Sequence, residues 1–289
     1  MRREGAMNWS VISIIAAWLV VALPIHSHLQ PVTKAPNYPP PPYGTFFSVS
    51  PSDSLADTPL STLSPAATTA LTDTTLNEMV EVPAGPFLMG ADNGFADERP
   101  QKTIYVKRFW IDKYEVTNRE FQAVGMQPMQ SFGTRYSDAL LPVVGVSWFQ
   151  AATYCRLAGK RLPSEAEWEK AARGSDGRLF PWGNFWDPAF ANDGRGPRPV
   201  GSFPQGVSPY GAHDMAGNVW EWVRDRYQFR FDGDPDHAPN HERPHHERMV
   251  LRGGAWNYQA VYLRTSYRRH ERPRFAEHRI GFRCAKDAP

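Results

Sequence analysis

The sequence predicts an α+β domain, a few short helices and small sheets on an irregular core, beginning near residue 78. Three observations predict it. The chain holds 27 prolines and 22 glycines, which argues for many turns and irregular connections and against a helical bundle. Short apolar runs bounded by turn residues suit strands rather than long helices. Helix starts are marked by capping residues, yet each apolar period that follows is brief.

The elements follow in order. Val80-Glu81-Val82-Pro83-Ala84-Gly85 reads as a strand entering a turn, followed by the apolar Phe87-Leu88-Met89-Gly90. Ile104-Tyr105-Val106 and Phe109-Trp110-Ile111 read as two further strands. Thr117 with Glu120 forms a capping box that opens a helix through Phe121. Ser147 caps a helix through Ala151, Tyr154 and Cys155, which Gly159 ends. Ser164 with Glu167 is a second capping box, opening a helix through Trp168 and Ala172 that Gly174 closes. Beyond it the chain is mostly Gly, Pro and aromatic residues, without long periodic segments.

Two stretches precede the domain. Residues 9–23 form a 15-residue apolar run behind Arg2 and Arg3, with only Ser10 and Ser13 polar. A spanning helix needs about 20 apolar residues, so the length suits a signal-peptide core. No clear cleavage site follows, and the run reads as either a cleaved signal peptide (residues 1–29) or a membrane tether. Both readings place the rest of the chain outside the cytoplasm, periplasmic or secreted. Residues 30–77 hold nine prolines, including 39–42, and many Ser and Thr. With no period of 2 or 3.6, this segment predicts an extended, disordered linker.

Composition narrows the function classes. Net charge is +2, which gives no electrostatic case for nucleic acid. Two cysteines, Cys155 and Cys284, are too few for a disulfide-rich scaffold or a cysteine-based zinc module, although they suffice for one bridge.

The motifs are more specific. Glu81-Val82-Pro83-Ala84-Gly85-Pro86-Phe87-Leu88-Met89-Gly90 is followed by Asp112-Lys113-Tyr114-Glu115-Val116-Thr117-Asn118. Next stand Pro142-Val143-Val144-Gly145-Val146-Ser147-Trp148 and Gly159-Lys160-Arg161-Leu162-Pro163-Ser164-Glu165-Ala166-Glu167-Trp168-Glu169. Phe180-Pro181-Trp182-Gly183-Asn184, Gly217-Asn218-Val219-Trp220-Glu221-Trp222, Arg252-Gly253-Gly254-Ala255-Trp256 and Gly281-Phe282-Arg283-Cys284 complete the set. In that order the motifs resemble the formylglycine-generating enzyme family, also called sulfatase-modifying factors, over residues 78–289. The resemblance implies a C-type-lectin-like fold with little regular secondary structure. It also implies an oxidase that converts a sulfatase cysteine to formylglycine with dioxygen and a copper ion held by two cysteines.

The catalytic pair is missing here. Counted from Trp256, the copper cysteines of the family fall on Tyr258 and Leu263. Thiolates suit a soft copper ion, a phenol is a harder ligand and a leucine is none. The motif's serine is Ala255, and the histidine that follows the first cysteine is Gln259. With these four departures, copper and formylglycine formation are not expected.

Other features of the family carry over. Cys155 and Cys284 match positions that form a structural disulfide in extracytoplasmic relatives. Structural calcium is implied through the Asp214 and Glu221 carboxylates and the Gly217 and Val219 carbonyls, an oxygen set that calcium accepts. A second calcium site would use Asn192 and Asp193, but its other half falls where this chain is shortened, between Arg195 and Val200. The His-rich stretch with His237, His241, His245 and His246 lies in a variable loop and reads as solvated surface.

Two classes of function are expected. In the first, the domain is a binding or regulatory module with a protein or peptide partner. Trp256, Tyr258, Tyr262, Arg264, Tyr267, Arg268 and Arg269 would shape the groove, or else pack a strand. In the second, it is an extracytoplasmic oxidoreductase or tailoring enzyme with different chemistry, for which Tyr258, His270, Glu271 and His278 are the nearby groups suited to proton transfer or metal ligation.

Overall fold

The structure is a computed structural model and describes residues 78–229 and 248–289. The apolar run at 9–23, the proline-rich segment and His237, His241, His245 and His246 lie outside the described residues.

Among the described residues the fold is a mixed α+β arrangement of three small sheets and three short helices. β1 (Met79–Val82), β2 (Gly85–Met89), β3 (Lys102–Val106) and β4 (Phe109–Asp112) come first. β2 and β3 form an antiparallel ribbon, with Phe87 opposite Ile104. β1 pairs antiparallel with β4, which also pairs with the C-terminal β9 (Ala285–Asp287).

The helices begin where local chemistry sets them. α1 (Asn118–Ala123) is capped by Thr117 with Glu120 in reciprocal hydrogen bonds. α2 (Trp148–Leu157) is capped by Ser147, and the Gln150 side chain completes the box. α3 (Glu165–Arg173) is capped by Ser164 with Glu167, and Gly174 follows at φ +75°. Each cap satisfies backbone N–H groups that the first turn leaves without partners.

The remaining strands make a four-stranded sheet in the order β7-β6-β5-β8. They are β5 (Trp220–Arg226), β6 (Met249–Arg252), β7 (Arg269–Glu271) and β8 (Ile280–Phe282). β5 pairs antiparallel with β6 and parallel with β8, so the sheet is mixed. α3 packs on β5 and β6 and closes one face.

Trp168, Trp220 and Trp222 are fully buried and belong to two apolar clusters, one on each side of the central sheet. Removing one such indole typically costs about 3–5 kcal/mol. Charges also run through the core. Arg252 reaches Glu169 and Glu165, Arg268 pairs with Glu165 at 2.6 and 2.9 Å, and Arg173 pairs with Glu169 at 2.5 Å. Arg264 pairs with Glu98 at 2.6 Å. All of these side chains are buried. Arg264 and Arg268, candidates for a groove in the sequence, are therefore internal partners of carboxylates and take no part in an exposed surface. Cys155 and Cys284 form a disulfide that ties α2 to the strand pair at the C-terminus, across a sequence separation of 129.

Candidate functional site

The segment 252–264 begins as β6 ends and turns tightly at Gly253 and Gly254, at φ +92° and +79°. A Cβ on Gly254 would lie 2.1 Å from Leu263 Cδ2. That glycine is what lets Leu263 fold back against the turn. Tyr258 and Leu263, which the motif count from Trp256 sets at the copper-ligand positions, are both buried, as is Ala255.

Tyr258 sits edge-on to Trp220 at 5.3 Å and to Tyr262 at 5.9 Å between ring centroids. The Arg279 guanidinium lies 5.5 Å over its ring. Its hydroxyl accepts from Arg269 Nη1 at 3.2 Å, and Arg269 donates to Glu271 at 3.0 Å. A phenol, an isobutyl group and aromatic neighbours thus fill the space around positions 258 and 263. The two cysteines of the chain are both closed in the disulfide. No thiolate is left for a soft metal ion.

The four proton-transfer candidates do not converge. Glu271 meets Tyr258 through Arg269, whereas neighbouring His270 packs at a tilt on Tyr227, 3.9 Å between ring centroids, and meets Arg248 through Nδ1 at 3.2 Å. Strand alternation in β7 accounts for the split. His278 lies among Trp256 at 6.1 Å, Phe132 at 5.4 Å and Tyr136 at 5.7 Å. Burial lowers the pKa of both histidines, and nearby arginines add to it: Arg248 for His270, Arg279 and Arg135 for His278.

Asp214, Gly217, Val219 and Glu221 occupy one turn and the start of β5. Asp214 and Asn218 adopt positive φ, 57° and 59°. Asx residues tolerate that region better than most others. A Cβ on Gly217 would lie 2.4 Å from the Asn192 carbonyl, so the close pairing of the two segments requires glycine there. Glu221 accepts from Arg283 at 2.7 and 2.8 Å and from Trp168 Nε1 at 2.8 Å. Asp214 accepts from the Gly201 N–H at 2.7 Å.

Sequence reasoning assigned no role to Glu115, which is fully buried beside this turn. It accepts from Asn218 Nδ2 at 2.5 Å and from the Val219 N–H at 3.2 Å. Burial, together with Asp214 and Glu221, pushes the Glu115 carboxyl well above the usual carboxylate range. Burial likewise pushes Asp214 up to about 6. Three buried carboxylates therefore face one buried guanidinium, Arg283. The only signal for Glu115 in the sequence is its place in the Asp112–Asn118 motif.

Asn192 uses its amide locally. Nδ2 donates to the Gly196 carbonyl and to Asn218 Oδ1, and Oδ1 accepts from the Gly194 N–H. Asp193 is exposed next to it. Among the described residues, no three His, Cys, Asp or Glu side chains are grouped as a metal cage.

Comparison with known proteins places this arrangement. The bovine (Bos taurus) protein named inactive C-alpha-formylglycine-generating enzyme 2 is 33% identical, over 73% of this chain and 88% of its own length. The Chlamydia caviae protein named serine/threonine-protein kinase pkn1 is 36% identical over 72% of this chain. The match spans about 38% of that kinase. A solved structure of PvdO from Pseudomonas aeruginosa superposes with a TM-score of 0.63 at 26% identity, covering 75% of this chain and 96% of that one. Hercynine oxygenase of Mycolicibacterium smegmatis is 33% identical over 72% of this chain and 61% of its own length. The profile described as "Sulfatase-modifying factor enzyme 1-like domain" matches residues 65–288, and the chain belongs to that family.

Proposed function

We propose that this protein is a non-oxidase member of its family, a binding or regulatory module acting outside the cytoplasm on a protein or peptide partner. One observation carries the reading: both cysteines are closed in a buried disulfide, while buried Tyr258 and Leu263 stand where the motif count sets the copper ligands. Copper-dependent formylglycine formation needs two thiolates at one place, and this chain offers none. The likeness to a bovine relative named as inactive is consistent with that loss. A disulfide persists best in an oxidising compartment, which agrees with export by the apolar run at 9–23. That run would serve as a signal peptide or a membrane tether.

Structural calcium belongs to the same proposal. The Asp214 and Glu221 carboxylates with the Gly217 and Val219 carbonyls are hard oxygen donors of the kind calcium accepts. The excess of buried carboxylates over guanidinium in the turn favours a cation. Glu221 retains lone pairs beyond those used by Arg283 and Trp168. A bound calcium would neutralise the turn and hold Asp214 ionised.

The alternative, an oxidoreductase or tailoring enzyme of different chemistry, draws on the name of the hercynine oxygenase relative. The separate surroundings of His270, Glu271 and His278 weigh against a shared centre for it.

The test is elemental analysis of the protein purified from an oxidising compartment without chelator, alongside incubation with a sulfatase-type cysteine peptide. Calcium near one equivalent, no transition metal and an unchanged cysteine are expected. Stoichiometric copper or iron, or aldehyde in the peptide, would overturn the proposal.

A further inference from the structure

We infer that the face beside Trp256 takes an acidic peptide segment, an inference that rests on the binding reading above and adds the chemistry of the partner. Trp256, half-buried, lies two residues before Tyr258. Its N–H and the backbone of Arg198 are joined through one residue: Trp256 N donates to the Asn218 carbonyl at 3.0 Å, and Arg198 N donates to Asn218 Oδ1 at 2.9 Å. The His278 ring bridges Trp256 to Phe132 and Tyr136. Arg135 lies 6.0 Å over the Tyr136 ring, and its Nη2 would be 2.7 Å from a Cβ on Gly196. Gly196 itself is flanked by Arg195 and, two residues on, Arg198. Arg135 thus joins this aromatic wall to the Gly196 loop, where Arg195 and Arg198 are exposed, with Asp193 the one exposed carboxylate beside them.

None of Arg135, Arg195 and Arg198 is in an ion pair among the described residues. This sets them apart from Arg173, Arg252, Arg264, Arg268 and Arg283, each matched to a buried carboxylate. Exposed guanidinium groups without a carboxylate partner suit a ligand of opposite charge. A second polar group points the same way: Trp256 Nε1 is buried and has no acceptor. Guanidinium groups bind carboxylates in bidentate fashion, and the aromatic wall offers apolar surface between them. The net charge of the chain is only +2, so this is a local patch and not the extended basic stripe that nucleic acid requires.

The experiment is selection of a displayed random decapeptide library on the full protein, repeated on the triple charge reversal R135E/R195E/R198E and on Trp256→Ala. Recovered sequences should be rich in Asp and Glu. A synthetic peptide from that set should bind the triple variant about tenfold more weakly, and added salt should weaken binding to the native protein. The single variant R195E, at an exposed position, should show a smaller loss in the same direction. Recovered sequences without an acidic excess overturn the acidic-segment inference. If their binding is still lost in Trp256→Ala, the binding-module reading survives alone. An oligonucleotide of mixed sequence that binds as tightly as the peptide overturns the choice of a peptide. Recovery of no sequence at all overturns both readings.

Discussion

Arg283 holds Glu221 through both carboxylate oxygens, at 2.7 and 2.8 Å, with neither side chain exposed to solvent. The same guanidinium donates to the carbonyls of Asp112, Lys113 and His213. It is therefore the counter-charge of the turn and the tie between β4, β5 and the C-terminal strands. Removing one member of a buried pair leaves an uncompensated charge and typically costs about 3–5 kcal/mol. Arg283→Met should lower the unfolding free energy by that amount in urea titration. Adding Glu221→Gln should recover part of it, because the stranded charge is gone. An Arg283→Met protein as stable as the native one would contradict this account.

The carboxylates of that turn set a pH dependence. Asp214 has an ordinary value near 3.8 and is pushed up to about 6 by burial. A raised carboxyl binds its proton more tightly folded than unfolded. Its contribution is complete below about pH 4 and is lost as pH rises through 6. Asp112, also raised to about 6 by burial, acts with the same sign. In chelator, thermal stability should fall between pH 4 and pH 7, with Asp214 contributing up to about 3 kcal/mol. Asp214→Asn should shrink that fall without abolishing it. Millimolar calcium at pH 7 should raise the melting temperature of the native protein and do less for Asp214→Asn. Melting curves that ignore calcium at every pH would remove the calcium proposal.

The sequence disclosed what is local and hid what is not. Thr117 with Glu120, the cap Ser147, and Ser164 with Glu167 announce three helices, because a cap is complete within four residues. β5 and β6 gave no such sign. Trp220–Val223 and Met249–Arg252 are buried at every position, so no alternation of polar and apolar residues survives to mark a strand. Their charged members, Glu221 and Arg252, look like surface residues until Arg283 and Glu169 are seen to meet them. Arg264 and Arg268 misled for the same reason, since Glu98 and Glu165 are more than a hundred residues away in the chain. At the site, the exchange of Tyr258 and Leu263 for cysteines could be counted from Trp256. The role of Glu115 could not, because it depends on Asn218 and Val219 coming back across the fold.

The disulfide gives a third measurable consequence. Cys155 and Cys284 are 129 residues apart and both buried. Opening a loop of that length restores denatured-state entropy worth about 5 kcal/mol in the loop-closure model. The double variant Cys155→Ala/Cys284→Ala should therefore unfold at clearly lower denaturant, with the buried cavity adding to the loss. Native protein in strong reductant should shift the same way only after slow reduction, because neither sulfur is exposed. Equal midpoints for native and double variant would show that the bridge contributes nothing.

The last prediction restores what the chain lacks. Tyr258→Cys with Leu263→Cys puts two thiols at the positions of the copper ligands and leaves the disulfide in place. Truncating two buried side chains opens a cavity and lowers stability by several kcal/mol. A metal that binds only the folded form recovers stability in proportion to its affinity. Copper(I), a soft ion suited to thiolates, should raise the melting temperature of the double variant by several degrees and leave the native protein unmoved. Competition with a coloured copper(I) chelator should show about one ion per variant chain and none for the native protein. Turnover is not expected to return, because Ala255 and Gln259 still stand in the motif. If native protein withdraws copper(I) from the chelator as well as the variant does, the loss of two cysteines is not what silences this domain. If the variant melts cooperatively yet takes no copper, positions 258 and 263 do not converge as the motif count implies.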